Sequence, residues 1–389
     1  MGITALARIA LALLSLAVLA AGGILLWQGL EGEWAHDVDG VLRHVRDDTK
    51  LWIGAGLLAW SVLGRFVLVP LLAKRDDDPL PVARGNGSRV EDGASLYVET
   101  HGVQDAPPIL FTHGWGLDST VWGYAKRDLG SRFKLILWDL PGLGKSRRAH
   151  AKLGLPEFAE HLRTLLAETG RPAVLVGHSI GGMTIQTLAR GHPELFGREV
   201  AGVVLLNTTY TNPLKTMIMP RLLQALRWPV LEPMMRLSIL LSPLAWLSQW
   251  QSYLSGSTHI ACRLGFGRYV TRSQLSHTAL LMTRNSPAVQ SRGDLAMFRW
   301  DSGMPFRDLD VPLLVVGGGV DIITKEEAGQ RIAGEARTAR YERIEGVNHM
   351  GFLERADVYN RLIGEFAASV QPATMAAQGG AATAATPQP

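Results

Sequence analysis

Val174-Leu175-Val176-Gly177-His178-Ser179-Ile180-Gly181-Gly182 is the stretch on which the fold turns. A short apolar, β-branched run ends in Gly-x-Ser-x-Gly, and a segment of helical character follows. The pattern is that of a strand, a sharp turn and a helix, with the serine raised on the tip of the turn. Such a turn strains the serine backbone and packs its neighbours tightly. Gly177 and Gly181 suit it, because a Cβ at either would crowd the helix or the strand. The helix that begins there aims its N-terminal amides at Ser179, where they can help hold an oxyanion. The alternative is a plain glycine-rich turn. The strand before and the helix after it favour the catalytic reading.

Outward from this point, strand-like and helix-like segments alternate. Ile109–Thr112, Leu135–Trp138, Val174–Val176, Val200–Leu206, Leu313–Val316 and Arg340–Ile344 read as strands. Leu155–Thr169, Ser179–His192, Lys325–Ala333 and Asp357–Val370 read as helices. Residues 89–98 read as a β-hairpin with Asp92-Gly93 at its turn. The expectation is an α/β protein: a mostly parallel sheet of about eight strands with helices on both faces.

A serine hydroxyl is a poor nucleophile at neutral pH and needs a base beside it. A histidine can take its proton, and a carboxylate orients that histidine. In an open α/β sheet these groups must gather at the C-terminal ends of strands. Asp321 passes that filter, lying in the glycine-rich loop after Leu313–Val316, whereas Asp308 and Asp310 precede the same strand. Asn207 ends the preceding strand but carries no charge. His349, directly after the last strand, is the candidate base. His178 adjoins the serine but should point into the packed base of the turn. The order Ser179, Asp321, His349 is that expected of such a triad. For Asp321 the alternative is a loop aspartate capping the helix near Lys325. Two amides should hold the oxyanion: that of Ile180, and that of Trp115 in the loop His113-Gly114-Trp115-Gly116. Gly114 and Gly116 would let this backbone approach a substrate closely, and losing one such donor costs on the order of 10²- to 10³-fold in rate.

With these residues in hand, residues 89–370 resemble the α/β-hydrolase family. The resemblance rests on His-Gly-x-Gly at 113–116, Gly-His-Ser-x-Gly-Gly at 177–182 and Asp-Leu-Pro-Gly-Leu-Gly-Lys-Ser at 139–146. Asp321 and His349 match the family's acid and base positions. The resemblance implies a capped sheet, no metal and no organic cofactor, and it leaves the substrate open. Serine rather than aspartate at 179 argues against epoxide hydrolase and dehalogenase relatives.

The chain has 389 residues, of which 47% are hydrophobic and 19% charged. Its net charge of +4 does not suggest a nucleic-acid role, and the lone Cys262 excludes an intramolecular disulfide. Residues 3–27 and 51–73 are apolar runs long enough to cross a bilayer, interrupted only by Arg8 and Arg65. A cleaved signal peptide is the alternative for the first, and a buried or interfacial helix for the second. Arg8 near the N-terminus, Lys74 and Arg75 after the second run and an acidic segment between the two runs place both ends in the cytoplasm by the positive-inside rule. These spans add to the ordinary soluble pattern of the family and resemble membrane-tethered lipases.

Between Thr211 and Trp300 the strand rhythm stops. This insert looks helical, with proline breaks at Pro220, Pro229, Pro233 and Pro243. It carries ten bases and two acids, hence +8, and has no charge from Leu237 to Thr258. It is a candidate lid, either resting on anionic lipid at about 1 kcal/mol per well-placed base or holding its arginines in water. The organisation expected is a membrane anchor over 1–78, with a linker from Pro79 to Ser88 leading into a catalytic domain over 79–210 and 301–371. A helical cap covers 211–300, and a disordered tail follows over 372–389. The function expected is a membrane-anchored serine hydrolase acting on an apolar, lipid-like carboxylic ester. Carbon–carbon, thioester or perhydrolase chemistry on the same groups is the alternative within that class. Outside it stands a non-catalytic binding protein that kept the fold.

Overall fold

The computed structural model describes residues 2–371 apart from 37, 86, 92–93 and 149–152. The Asp92-Gly93 turn and the tail at 372–389 lie outside the described residues. The main sheet runs β1 (Gly87–Glu91), β2 (Ala94–Gly102), β3 (Pro108–Thr112), β4 (Lys134–Trp138), β5 (Arg147–Arg148), β6 (Ala173–His178), β7 (Val200–Leu206), β8 (Leu313–Gly318) and β9 (Ala339–Ile344). Its order is β9-β8-β7-β6-β3-β4-β2-β1, with β5 paired to β2. The two-residue β5 brings the total to nine, one more than the sequence suggested, because so short a strand leaves no periodic signal. The six strands from β4 to β9 along this order are parallel, and β2 is antiparallel to β1, β4 and β5.

Burial on both faces explains the near-continuous apolar strands. Successive strand residues point to opposite sides. Ile109, Phe111, Val174, Val176, Val316 and their neighbours pack against Trp122, Tyr359 and Ile363 on one face. Leu110, Leu175, Val203 and Val315 pack against Phe158, Leu162, Ile185 and Ile332 on the other. The helices Leu155–Ala167, Ile180–Gly191, Glu326–Glu335 and Ala356–Val370 agree with the expected ones to within a few residues at each end.

Two long apolar helices precede the sheet, α1 (Gly2–Glu31) and α2 (Asp48–Leu72). Both are long and apolar enough to cross a membrane. The acidic segment between them forms a small hairpin, Glu33–His36 with Leu42–Val45. Small residues let the two helices approach: a Cβ on Gly54 would press on the α1 backbone at Gly22 and Leu26. The stretch read as a linker is fastened down. Leu80 is buried, and Arg84 pairs with Asp118 and Asp139 at 2.6 and 2.9 Å. Its Pro and Gly content reflects an irregular path over the surface, held by a buried ion cluster that composition does not reveal.

Residues 211–300 are helical, including Glu232–Leu240, Ser242–Leu254, Arg272–Arg284 and Pro287–Met297. Pro220 and Pro243 sit in the first turns of helices, where the missing N–H costs nothing, while Pro229 lies in a π-helical turn and Pro233 comes just after it. The neck is closed where Thr211 bridges Asp301, with the Thr211 hydroxyl 2.7 Å from the Asp301 carboxylate. Several of its arginines also make contacts with protein. Arg227, Arg236 and Arg299 converge on buried Glu232, and the Arg263 Nε donates to the Leu72 carbonyl at the end of α2.

The insert also packs on the apolar pair. The Ser15 and Ser255 hydroxyls lie 2.6 Å apart, Gln251 donates to the Ser15 carbonyl, and Arg65 stacks over Tyr253 at 4.9 Å. Stacking on an aromatic face compensates the cation that stood out in the second apolar run.

Candidate active site

β6 ends at His178, and Ser179 follows with φ 53° and ψ −115°. A positive φ on a non-glycine residue costs roughly 1–3 kcal/mol and persists only where the surroundings over-determine it. Here a Cβ on Gly177 would strike the backbone of Gly181, and one on Gly181 would strike the Thr112 carbonyl of β3. Gly182 is equally constrained, by the Thr208 side chain. The Thr208 hydroxyl donates to the Ser179 carbonyl at 2.6 Å, and the Ser179 amide donates to Leu206. Glycines on either side and a hydrogen bond beneath thus force the serine to the tip of the turn.

Ser179, Asp321 and His349 are brought together. His349 Nε2 lies 3.0 Å from Ser179 Oγ, and His349 Nδ1 lies 3.1 Å from Asp321 Oδ2. The loops after β6, β8 and β9 supply one residue each, as the strand-end filter required. All three residues are buried, and each is only a few per cent exposed. Burial pushes the Asp321 carboxyl up, but His349, Asn207 and the Thr324 amide outweigh it and hold the group below its ordinary value. One oxygen accepts from the Ile323 and Thr324 amides at 2.8 and 2.9 Å. The other accepts from the Thr324 hydroxyl and from Asn207 Nδ2 at 2.8 and 3.0 Å. Asp321 does not cap the helix near Lys325: that helix begins at Glu326 with Lys325 at its N-cap.

Asn207 is the residue that sequence reasoning passed over. It ends β7, takes a left-handed φ of 44°, donates to Asp321 and the Asn348 carbonyl, and accepts from the Tyr359 hydroxyl at 2.9 Å. Its position met the same strand-end test as Asp321, and only the demand for a charge set it aside. Replacing Asn207 with Ala is expected to cost about 1–3 kcal/mol, because a buried carboxylate loses a donor and the Tyr359 hydroxyl loses its acceptor. Urea unfolding in detergent, comparing midpoints with wild type, measures this. An unchanged midpoint would mean that water replaces the amide.

The histidine loop is also clamped. Asn348 Oδ1 accepts from the Ile322 and His349 amides, and Asn348 Nδ2 donates to Leu264 of the insert. Glu354, its carboxyl raised by burial, accepts from the amides of Gly267, Tyr269 and Asn348. His178 does point into packed protein. Its Nε2 donates to the His349 carbonyl at 3.0 Å and its ring packs 4.5 Å from Phe352. Burial, aided by the neighbouring His349, lowers its pKa well below the usual value, so it stays neutral.

His113 is structural. Its Nδ1 donates to the Gly114 carbonyl at 2.8 Å and its Nε2 accepts from the Leu140 amide at 3.0 Å. It therefore ties the 113–116 loop to the 139–146 turn. That turn is organised by fully buried Asp139, which accepts from the Ser119 and Lys145 amides at 2.7 Å each. Gly114 lies against the His178 ring, and Gly116 has φ 76° and lies against Met282. The insert grips the same loop: the Trp115 indole donates to the Gln290 carbonyl at 3.1 Å, and Asn285 donates to the Gly116 carbonyl at 2.7 Å. Trp115 and Ser179 share one chamber of about 90 Å³, also lined by Leu117, Met282, Ile323, Met350 and Arg8. Cys262 lines it too, but burial pushes its thiol up to about 12, so it does not compete as a nucleophile. Among the described residues no cluster of metal-ligating side chains occurs.

A parallel α/β sheet with a strained serine at one strand end, hydrogen-bonded through histidine to aspartate, defines a class of hydrolase. A profile of the Alpha/beta hydrolase family matches residues 109–362, and the chain belongs to that family as an esterase-type serine hydrolase. It is similar to a pimeloyl-[acyl-carrier protein] methyl ester esterase of Sodalis glossinidius, with 30% identity over 58% of this chain and 80% of that relative. An esterase from Exiguobacterium antarcticum superposes with a TM-score of 0.59 and 18% identity, covering 73% of this chain and 99% of that one. A bacterial membrane phospholipase A superposes with 0.58 and 17% identity, covering 83% and 97%. At these identities the two solved structures speak to the fold alone.

Proposed function

We propose that the protein is a membrane-anchored serine esterase that cleaves an apolar carboxylic ester through an acyl-enzyme on Ser179. The observation that carries this reading is the unbroken hydrogen-bonded path from Asp321 through His349 to Ser179, opening on an apolar chamber. Ser179 Oγ attacks the ester carbonyl while its proton passes to His349 Nε2. The carbonyl oxygen, now an anion, takes hydrogen bonds from the amides of Trp115 and Ile180. Collapse breaks the bond to the alcohol, which leaves with the proton from His349. Water then repeats the sequence against the acyl-enzyme, releasing the acid and restoring Ser179. Asp321 holds the imidazole in its working tautomer and balances its charge.

In this reading α1 and α2 cross the bilayer, residues 211–300 act as the cap, and the catalytic domain faces the cytoplasm. The lengths and hydropathies of the two helices support it, as do Arg8, Lys74 and Arg75 at their ends. Exposed Trp228, Leu240, Leu244 and Leu247 give the cap an apolar outer face suited to lipid. The esterase relatives favour ester over carbon–carbon cleavage. The test is labelling of the full chain in membranes with a fluorophosphonate probe. Wild type should label, and Ser179→Ala should not. Labelling that survives in Ser179→Ala, or its absence from folded wild type, overturns the assignment.

A further inference from the structure

The chamber beside Ser179 is too small for a long substrate. At about 90 Å³ it is well under the roughly 300 Å³ at which ordinary ligand sites begin. A second cavity of about 440 Å³ lies between α1 and the insert. Arg8 and Asp294 line both spaces, so the two lie side by side across these residues. Arg8 is held there by a 3.0 Å hydrogen bond from Nη1 to Gln290 Oε1, and Gln290 also accepts from the Trp115 indole through its carbonyl.

The second cavity is apolar. One wall is the face of α1 formed by Arg8, Ile9, Ala12, Leu13 and Leu16, and the facing wall includes Met235, Leu241 and Ala245. Arg8 to Leu16 is eight helical steps, about 12 Å, a run that accommodates a medium-length hydrocarbon chain lying along the helix. Leu13, Leu237 and Leu244 are each more than half exposed on the outer rim, so the cavity opens where α1 and the insert present apolar surface.

We propose that this cavity is the acyl-chain site, and that α1 is therefore part of the substrate-binding surface as well as an anchor. The inference rests on the esterase reading above. The chain lies between α1 and Ser242–Leu254, its carboxyl end passes Arg8 and Asp294, and the ester carbonyl reaches Ser179. The mouth on the lipid-facing side admits the substrate laterally from the bilayer. Short esters need only the inner chamber.

The experiment uses the full chain in detergent micelles and a series of p-nitrophenyl esters from acetate to decanoate. Ala12→Trp and Ala245→Trp fill the cavity from opposite walls. Each is expected to lower kcat/KM for octanoate and decanoate at least tenfold, while changing acetate and butyrate less than twofold. Fluorophosphonate labelling of Ser179 in each variant reports whether the inner site is intact. Equal loss on short and long esters with labelling retained, or no loss on either, overturns the acyl-chain assignment. If one variant fails to fold, the other decides from the opposite wall. Wild type that labels but prefers acetate over decanoate also overturns it. Wild type that neither labels nor cleaves any ester overturns the esterase reading itself.

Discussion

Replacing His349 with Ala is expected to lower kcat on any ester by about 10⁶-fold, the loss seen when the base of a serine–histidine–carboxylate relay is removed. The reason is geometric. His349 Nε2 is the hydrogen-bond partner of Ser179 Oγ at 3.0 Å, and with the imidazole gone the hydroxyl keeps its proton at neutral pH. The loop should stay in place, because it is held through backbone and neighbouring groups. His178 donates to the His349 carbonyl, and Asn348 and Glu354 fasten the adjoining amides. The double variant Ser179→Ala/His349→Ala should be no slower than either single variant, since the two side chains act as one unit. Steady-state kinetics on a p-nitrophenyl ester measures both. Losses that multiply in the double variant would mean that the two residues work separately.

Asp321→Asn should lower kcat by about 10⁴-fold, because an amide stabilises neither the working tautomer nor the charged imidazole. It also carries a stability signature. The folded Asp321 carboxyl sits below the ordinary aspartate value, held there by His349, Asn207 and the Thr324 amide. A carboxyl whose folded value is depressed binds its proton more readily in the unfolded chain. Its contribution is therefore complete above about pH 4 and is lost as pH falls through the lower folded value. Wild type should be more stable than Asp321→Asn at neutral pH, with the gap closing below about pH 4. Denaturant midpoints at pH 7 and pH 3 test this. A gap that does not narrow in acid would show that the carboxylate gains nothing from its five donors.

Much of this site is legible in the sequence because its rules are local. A Gly-x-Ser-x-Gly turn is demanded by sterics within five residues. Strand ends show where continuous apolar runs stop at glycine-rich or polar loops, so Asp321 and His349 can be picked by position alone. Asn207 escaped because its value lies in geometry: an amide serves a carboxylate only once β7 and β8 lie side by side. The packed linker escaped for the same reason, since Arg84 has meaning only beside Asp118 and Asp139. In the basic insert a charge count names no partners: Arg227, Arg236 and Arg299 meet around Glu232 only in the folded chain.

The chain alone determined the alternation of strands and helices, the strained serine turn, the aspartate and histidine at the neighbouring strand ends, and the two long apolar helices. Each follows from steric or hydropathic patterns spanning a few to some twenty residues. Only the tertiary structure decided what fills the space around Ser179. The meeting of Arg8 with Gln290 joins residues 282 positions apart. Such a contact arises from packing an apolar helix pair against a helical insert, and no local pattern encodes a partner that distant.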